Sequence, residues 1–174
     1  SAQALDLAER LQTPVFVMTD LDIGMNQRLC KPFAWDDSKE YDRGKVMTRE
    51  ALDAGTDFGR YLDVDGDGIP YRTYPGTHPT KGGYFTRGTT KNAYAGYSEA
   101  GADYIYNMQR LRQKFETAKS LLPLPVLCAA KYPARFAALF YGSTGPAMQE
   151  ALDALAELGI YINALRIRAF PFQN

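Results

Sequence analysis

The stretch from Tyr61 to Gly88, YLDVDGDGIPYRTYPGTHPTKGGYFTRG, most constrains what this chain can fold into. Glycine, proline and turn-forming aspartate recur in it too often for one helix or one uninterrupted strand. The regular elements therefore belong on either side, and the stretch itself is an irregular excursion. It also gathers reactive groups: three alternating carboxylates, the only histidine, two arginines, a lysine and several threonines. Such groups on a loop carried by a rigid frame are where binding sites usually form.

On the N-terminal side, Leu5, Ala8 and Leu11 share one helical face, and Thr13-Pro14 stops that helix. Val15-Phe16-Val17-Met18 then reads as a short buried strand. Helix, turn and β-rich run look like the end of an α/β unit. A βαβ unit needs an earlier strand, so the chain is expected to open in mid-domain. Asp20 and Asp22 follow at the carboxyl end of the expected strand, where α/β sheets bind ligands; turn capping is the favoured role. Trp35 is expected to anchor a surface excursion on the core. Thr48 caps a short helix that ends near Gly55.

Within the excursion, Asp63, Asp65, Asp67 and Gly68 reproduce the opening of a calcium loop. The twelfth position, where a bidentate glutamate belongs, is Tyr74, and Pro70 interrupts the loop. The three carboxylates suit either a hard cation helped by carbonyls and water, or the capping of backbone N–H groups. Arg72 offers a planar fork of donors for a carboxylate or phosphate, and Thr77, Thr80 and Lys81 add further donors. This array suits an anionic small molecule, and the competing reading of Arg72 is a buried ion pair with Asp63, Asp65 or Asp67. His78 lacks a second ligand at zinc spacing, leaving a substrate hydrogen bond or packing against its prolines. Gly82 to Gly88 reads as a strand leaving a turn, with Arg87 at its end.

Downstream, Ser98 is the expected N-cap of a long helix reaching towards Leu122. Ile105, Met108, Leu111, Phe115, Ala118 and Leu122 form its apolar stripe, with Arg110, Arg112, Lys114 and Lys119 turned to solvent. Leu122-Pro123-Leu124-Pro125 is a connector. Phe136 to Tyr141 is then a buried strand, and Gly142 to Pro146 is a turn into a helix lined by Met148, Ala151, Leu152, Leu155 and Leu158. Gly159 stops that helix, and Tyr161 to Arg168 is a return strand parallel to the first. The turn lacks a dinucleotide fingerprint.

Composition closes several classes. Acidic and basic residues balance at 20 each, so no global field favours nucleic acid or an anionic membrane. No apolar run approaches the roughly 20 residues of a membrane span. The N-terminus does not read as a signal peptide. Two cysteines, Cys30 and Cys128, are too few for a disulfide framework or a cluster. A cytoplasmic setting is the expectation.

VMTDLDIGMNQRL, RYLDVDGDGIPYRTYPGTHPTKGGYFTRGT and LFYGSTGPAMQEAL…INALRIRAFPF together resemble the alpha subunit of 2-oxoacid:ferredoxin oxidoreductases, most closely the 2-oxoglutarate branch. The similarity runs over essentially the whole chain. It implies an α/β fold: residues 1–133 as the C-terminal part of a pyrimidine-binding-type domain with its long excursion, and 134–174 as the start of a transketolase C-terminal-like domain. It also implies oxidative decarboxylation of a 2-oxoacid to an acyl-CoA, with thiamine diphosphate, Mg2+ and an iron–sulfur cluster passing electrons to ferredoxin. In that family the diphosphate and Mg2+ are held mainly by a separate beta subunit. Arg72 and Thr80 would hold the distal carboxylate of the 2-oxoacid, and Lys81, Thr77, His78 and Arg87 are candidates for the same pocket. The glutamate that activates the aminopyrimidine and the cluster cysteines have no counterpart here, so the segment alone is expected to be inactive. The alternatives are a free-standing calcium-binding module using Asp63, Asp65 and Asp67, and a purely assembly-forming segment.

Overall fold

The computed structural model describes residues 2–27 and 29–172. Its elements in chain order are α1 (Ala2–Leu11), α2 (Leu21–Met25), α3 (Arg49–Asp53), α4 (Gly101–Lys119), β1 (Val126–Cys128), β2 (Ala137–Phe140), a 3-10 turn (Gly142–Thr144), α5 (Gly145–Glu157) and β3 (Asn163–Arg166). The chain divides into two compact units. One comprises the described residues of 1–16 with 38–121; the other comprises those of 17–37 with 122–174. Among the described residues no helix is long and apolar enough to cross a membrane.

The first unit is α1, α3 and α4 joined by long irregular chain. Its apolar core is small: Leu7 and Leu11 from α1, Met47, Leu52 from α3, Ile69, Pro70 and Ala118. Leu7, not the expected Leu5, supplies the inward face of α1, and Leu5 lies exposed. Thr48 caps α3 as expected, its Oγ1 accepting from Ala51 N at 3.2 Å, and Gly55 follows at φ +83°.

α4 departs from the expected pattern, although Ala118 is buried and Arg112 exposed as expected. Its inward face carries Arg110, Lys114 and Ala118, four residues apart, while Ile105, Met108 and Phe115 are about half exposed. The cause is what this face packs on. Gly68, at φ +79°, brings loop backbone so close that an added Cβ would lie 2.3 Å from Lys114 N and 2.4 Å from Arg110 O. Backbone carbonyls buried there need donors, and an apolar stripe has none. Arg110 Nη1 donates to Gly68 O (3.1 Å), Lys114 Nζ to Gln12 O (3.1 Å) and Thr117 Oγ1 to Asp67 O (2.7 Å). Burial pushes the Lys114 ammonium down to about 8, and the charges of Arg110 and Arg60 add to this. Ser98 does not cap the helix directly: α4 starts at Gly101, and Ser98 Oγ instead bonds Ala100 N and the Asp103 carboxylate.

The second unit is a three-stranded sheet in the order β1-β3-β2. β2 and β3 are parallel, as expected for strand, helix, strand, with Ala138 opposite Ala164 and Leu139 opposite Leu165. β1 was not expected. Val126–Cys128 pairs antiparallel with β3, Cys128 facing Ala164, so the sheet is mixed. Only one face is well covered: Ala164 and Phe140 are buried, whereas Phe136, Leu139 and Tyr141 are exposed, against the expectation of a buried strand. α5 lays Met148, Leu152 and Leu155 half-buried, begins with Pro146 in its first turn, and stops at Gly159 (φ +73°).

Three other expectations need correction. Residues 15–18 form no strand, and Phe16 and Met18 are exposed, because a strand requires a neighbour and none among the described residues pairs with them. Residues 83–87 are likewise irregular. Trp35 does not anchor its excursion: it is exposed, with Nε1 donating to Asp37 Oδ1 at 2.6 Å. Asp20 does act as a cap, its Oδ1 accepting from Ile23 N (2.8 Å) and its Oδ2 from Ser143 N (3.0 Å).

Candidate functional site

Residues 73–84 fold back on themselves to line a cleft of about 510 Å³. Thr73, itself buried, closes the loop: its Oγ1 donates to Gly82 O at 2.6 Å. Gly82 sits at φ +72°, where a Cβ would meet Thr73 Cγ2 at 2.8 Å and Leu52 Cδ1 at 3.0 Å. At the far end Tyr74-Pro75-Gly76-Thr77 is a tight turn with proline and glycine at its centre. Thr77 N donates to Tyr74 O (3.1 Å), and Gly76 takes the positive φ (+85°) such a turn demands. The Thr77 hydroxyl reinforces it, accepting from Tyr74 N (3.1 Å) and donating to Tyr74 O (2.8 Å).

His78 is fixed at both ring nitrogens. Nδ1 accepts from Thr80 N (3.1 Å) and Lys81 N (2.8 Å), and Nε2 lies 2.9 Å from Asp53 Oδ1 at the end of α3. An acceptor facing two N–H donors carries no hydrogen, so the imidazole hydrogen sits on Nε2 and is donated to Asp53. That hydrogen bond, together with the nearby charges of Arg49 and Lys81, holds the Asp53 carboxyl below the usual carboxylate range. Lys81 lines the cleft, but its ammonium donates to Leu52 O (2.8 Å), a carbonyl near the end of α3. Thr80 is exposed on the cleft.

Thr77, His78, Thr80 and Lys81 are thus brought together on one cleft. Arg72 and Arg87 do not line it. Arg72 lies just outside, its guanidinium 5.3 Å from the ring centroid of Tyr74 and donating to Tyr74 Oη (3.2 Å) and Arg43 O (2.9 Å). Its ion-pair partner is Glu9 of α1, not one of the loop aspartates named in the competing reading. Arg43 also reaches Glu9 (3.2 Å), so two guanidinium groups share one carboxylate. The hydrogen bond from Arg72 leads the causes that hold the Glu9 carboxyl below its ordinary value. Arg87 packs over the Tyr97 ring at 5.3 Å.

Asp63, Asp65 and Asp67 do converge, each with a carboxylate oxygen within 4.8 Å of the others. Their partners belong to the chain itself. Asp63 accepts from Gly66 N and Gly68 N, both at 3.0 Å, and Asp67 from Ile69 N at 2.7 Å. Lys45 Nζ stands between the other two, 2.6 Å from Asp65 and 2.8 Å from Asp67. Burial alone would lower this ammonium, and the hydrogen bonds to Asp65 and Asp67 overcome it, leaving Lys45 raised. A cation seeking these carboxylates has to displace the lysine.

Glu9, Lys45 and Asp53 are the partners that sequence reasoning missed. They lie 63, 20 and 25 residues from Arg72, Asp65 and His78. No local pattern links positions so far apart.

No family model matches this chain, and no curated protein does. Among solved structures the chain is similar to 2-oxoglutarate:ferredoxin oxidoreductase from Magnetococcus marinus, a structure with 2-oxoglutarate, coenzyme A and succinyl-CoA bound. The identity is 18%, the TM-score 0.73, and the match covers 97% of this chain. The chain spans 28% of that protein's length. At this identity the likeness establishes the fold alone.

Proposed function

We propose that this chain is part of the alpha subunit of a thiamine diphosphate-dependent 2-oxoacid:ferredoxin oxidoreductase of the 2-oxoglutarate branch. The observation that carries the reading is the fold likeness over 97% of the chain. In this reading residues 1–133 are the end of the pyrimidine-binding-type domain and 134–174 the start of the transketolase C-terminal-like domain. The beta subunit, ferredoxin and coenzyme A are the partners, in the cytoplasm.

The chain's share of the work is recognition of an acid. The Thr80 hydroxyl offers a neutral donor on the cleft, carried on backbone that the bonds within the loop fix before any ligand arrives. Preorganised donors bind an anion without the cost of ordering them first. Arg72 would join them only by exchanging the Glu9 carboxylate for that of the substrate. An aspartate run already spent on Lys45 and on backbone N–H groups does not fit a diphosphate–Mg2+ site. Thiamine diphosphate and its metal therefore fall to the beta subunit, where the cofactor serves as electron sink. Two thiols, Cys30 and Cys128, do not fit a four-thiolate cluster, so the iron–sulfur cluster also lies outside this chain.

The test uses the full-length enzyme with its partner subunit. Thr80→Val should lower kcat/KM for 2-oxoglutarate by about tenfold, the weight of one hydrogen bond to a charged group. Arg72→Ala should lower it by about a hundredfold. Neither should affect 2-oxobutyrate, which lacks the distal carboxylate. Equal losses on both substrates, or none, would refute the assignment.

A further inference from the structure

We propose that His78 is a positioning residue: through Nδ1 it sets the Pro79–Lys81 turn, and so aims the Thr80 hydroxyl at an acid-bearing 2-oxo substrate. The inference rests on the reading of Thr80 as a substrate contact and assigns His78 a role that does not involve touching the ligand.

The geometry is specific. Two successive backbone N–H groups, Thr80 N and Lys81 N, point at the same ring nitrogen, at 3.1 and 2.8 Å. This is the arrangement by which an aspartate or asparagine oxygen organises the turn that follows it, with an imidazole nitrogen in the oxygen's place. The other ring nitrogen is tied to Asp53 of α3, and Lys81 Nζ is tied to Leu52 O of the same helix. The turn is therefore pinned to α3 at both ends, with Thr80 between the pins. The histidine side chain is mostly buried, 8% exposed, and both its nitrogens are occupied. It has no donor left to offer a ligand, which is why the direct substrate role is set aside. Thr80 has no side-chain bond of that kind, so only the backbone on either side determines where its hydroxyl goes.

The two functions of the ring separate by substitution. His78→Asn keeps an acceptor at the position of Nδ1 and loses the reach to Asp53. His78→Gln keeps the reach to Asp53 and loses the acceptor. In the full-length enzyme with its partner subunit, steady-state kinetics on 2-oxoglutarate should show KM raised about tenfold in His78→Gln with kcat held, and close to wild type in His78→Asn. KM for 2-oxobutyrate should be unmoved in both, and thermal melting should report equally folded proteins. Thr80→Val is the control for the underlying reading. If it raises KM for 2-oxoglutarate while both His78 variants leave KM alone, the positioning role is overturned and the substrate reading stands. If Thr80→Val itself leaves KM unchanged, the substrate reading fails and this inference with it. Equal losses in His78→Asn and His78→Gln would also overturn the role assigned to Nδ1.

Discussion

In the loop-bearing unit α4 turns Arg110 and Lys114 inward, whereas in the sheet unit the innermost residues are Ala164 and Phe140. The difference follows from what each helix or strand has to cover. β3 has its backbone groups satisfied by β1 on one side and β2 on the other, so its side chains need only fill space. α4 packs on irregular chain whose carbonyls have no ladder, and long polar side chains must supply the donors. A buried cation is a costly way to do this. Lys114 is lowered to about 8, and Arg110 Nε is buried without a hydrogen-bond partner among the described residues. The loop unit thus gives up stability to hold its irregular chain in one shape.

The contrast can be broken most forcefully at its glycines. Gly68→Ala drives a Cβ into the backbone of α4 at a positive φ, and should cost more than about 3 kcal/mol, read as a lower denaturation midpoint. Gly159→Ala in the sheet unit also sits at positive φ but meets nothing within 4 Å. It should cost only about 1 kcal/mol, the conformational penalty by itself. Similar losses at the two positions would show that backbone packing against α4 is not what distinguishes the units.

Between these extremes lies Lys114. Its folded value of about 8 is below the ordinary 10.5, so between those limits the unfolded chain binds more protons than the folded one. Wild-type stability should therefore rise as pH is raised from 8 to 10.5, by roughly 3 kcal/mol at most. Lys114→Met should lose this slope. It should also be about 1 to 2 kcal/mol more stable than wild type at neutral pH, since the bond to Gln12 O is lost along with the desolvation penalty. Chemical denaturation across that pH range measures both effects. A wild-type curve that is flat there would remove Lys114 from the comparison.

Legibility in the sequence differed between the units for the same reason. The β-α-β pattern of residues 136–166 was visible because each step is local: a β-rich run, glycine and proline in the turn, helical spacing, and Gly159 as a stop. Thr48 and Asp20 were legible as caps because a cap acts within three residues. β1 was hidden because three residues after two prolines carry no periodicity of their own. α4 misled because periodicity reports which face is apolar, while burial depends on what lies opposite. At the cleft, the gathering of Thr77, His78, Thr80 and Lys81 followed from their nearness in the chain. The destination of Arg72 did not.

The sequence by itself determined where turns must fall, that α1, α3, α4 and α5 are helical (α2, read only as a turn, was not legible), and which residue types crowd around the Tyr74–Thr77 turn. These are consequences of backbone sterics and of contacts a few residues apart. Only the tertiary structure decided that Glu9 takes Arg72, that Lys45 takes Asp65 and Asp67, and that Asp53 takes His78. Ionic partners carry no sequence spacing, because a charge pairs with whichever opposite charge the packed backbone brings within reach.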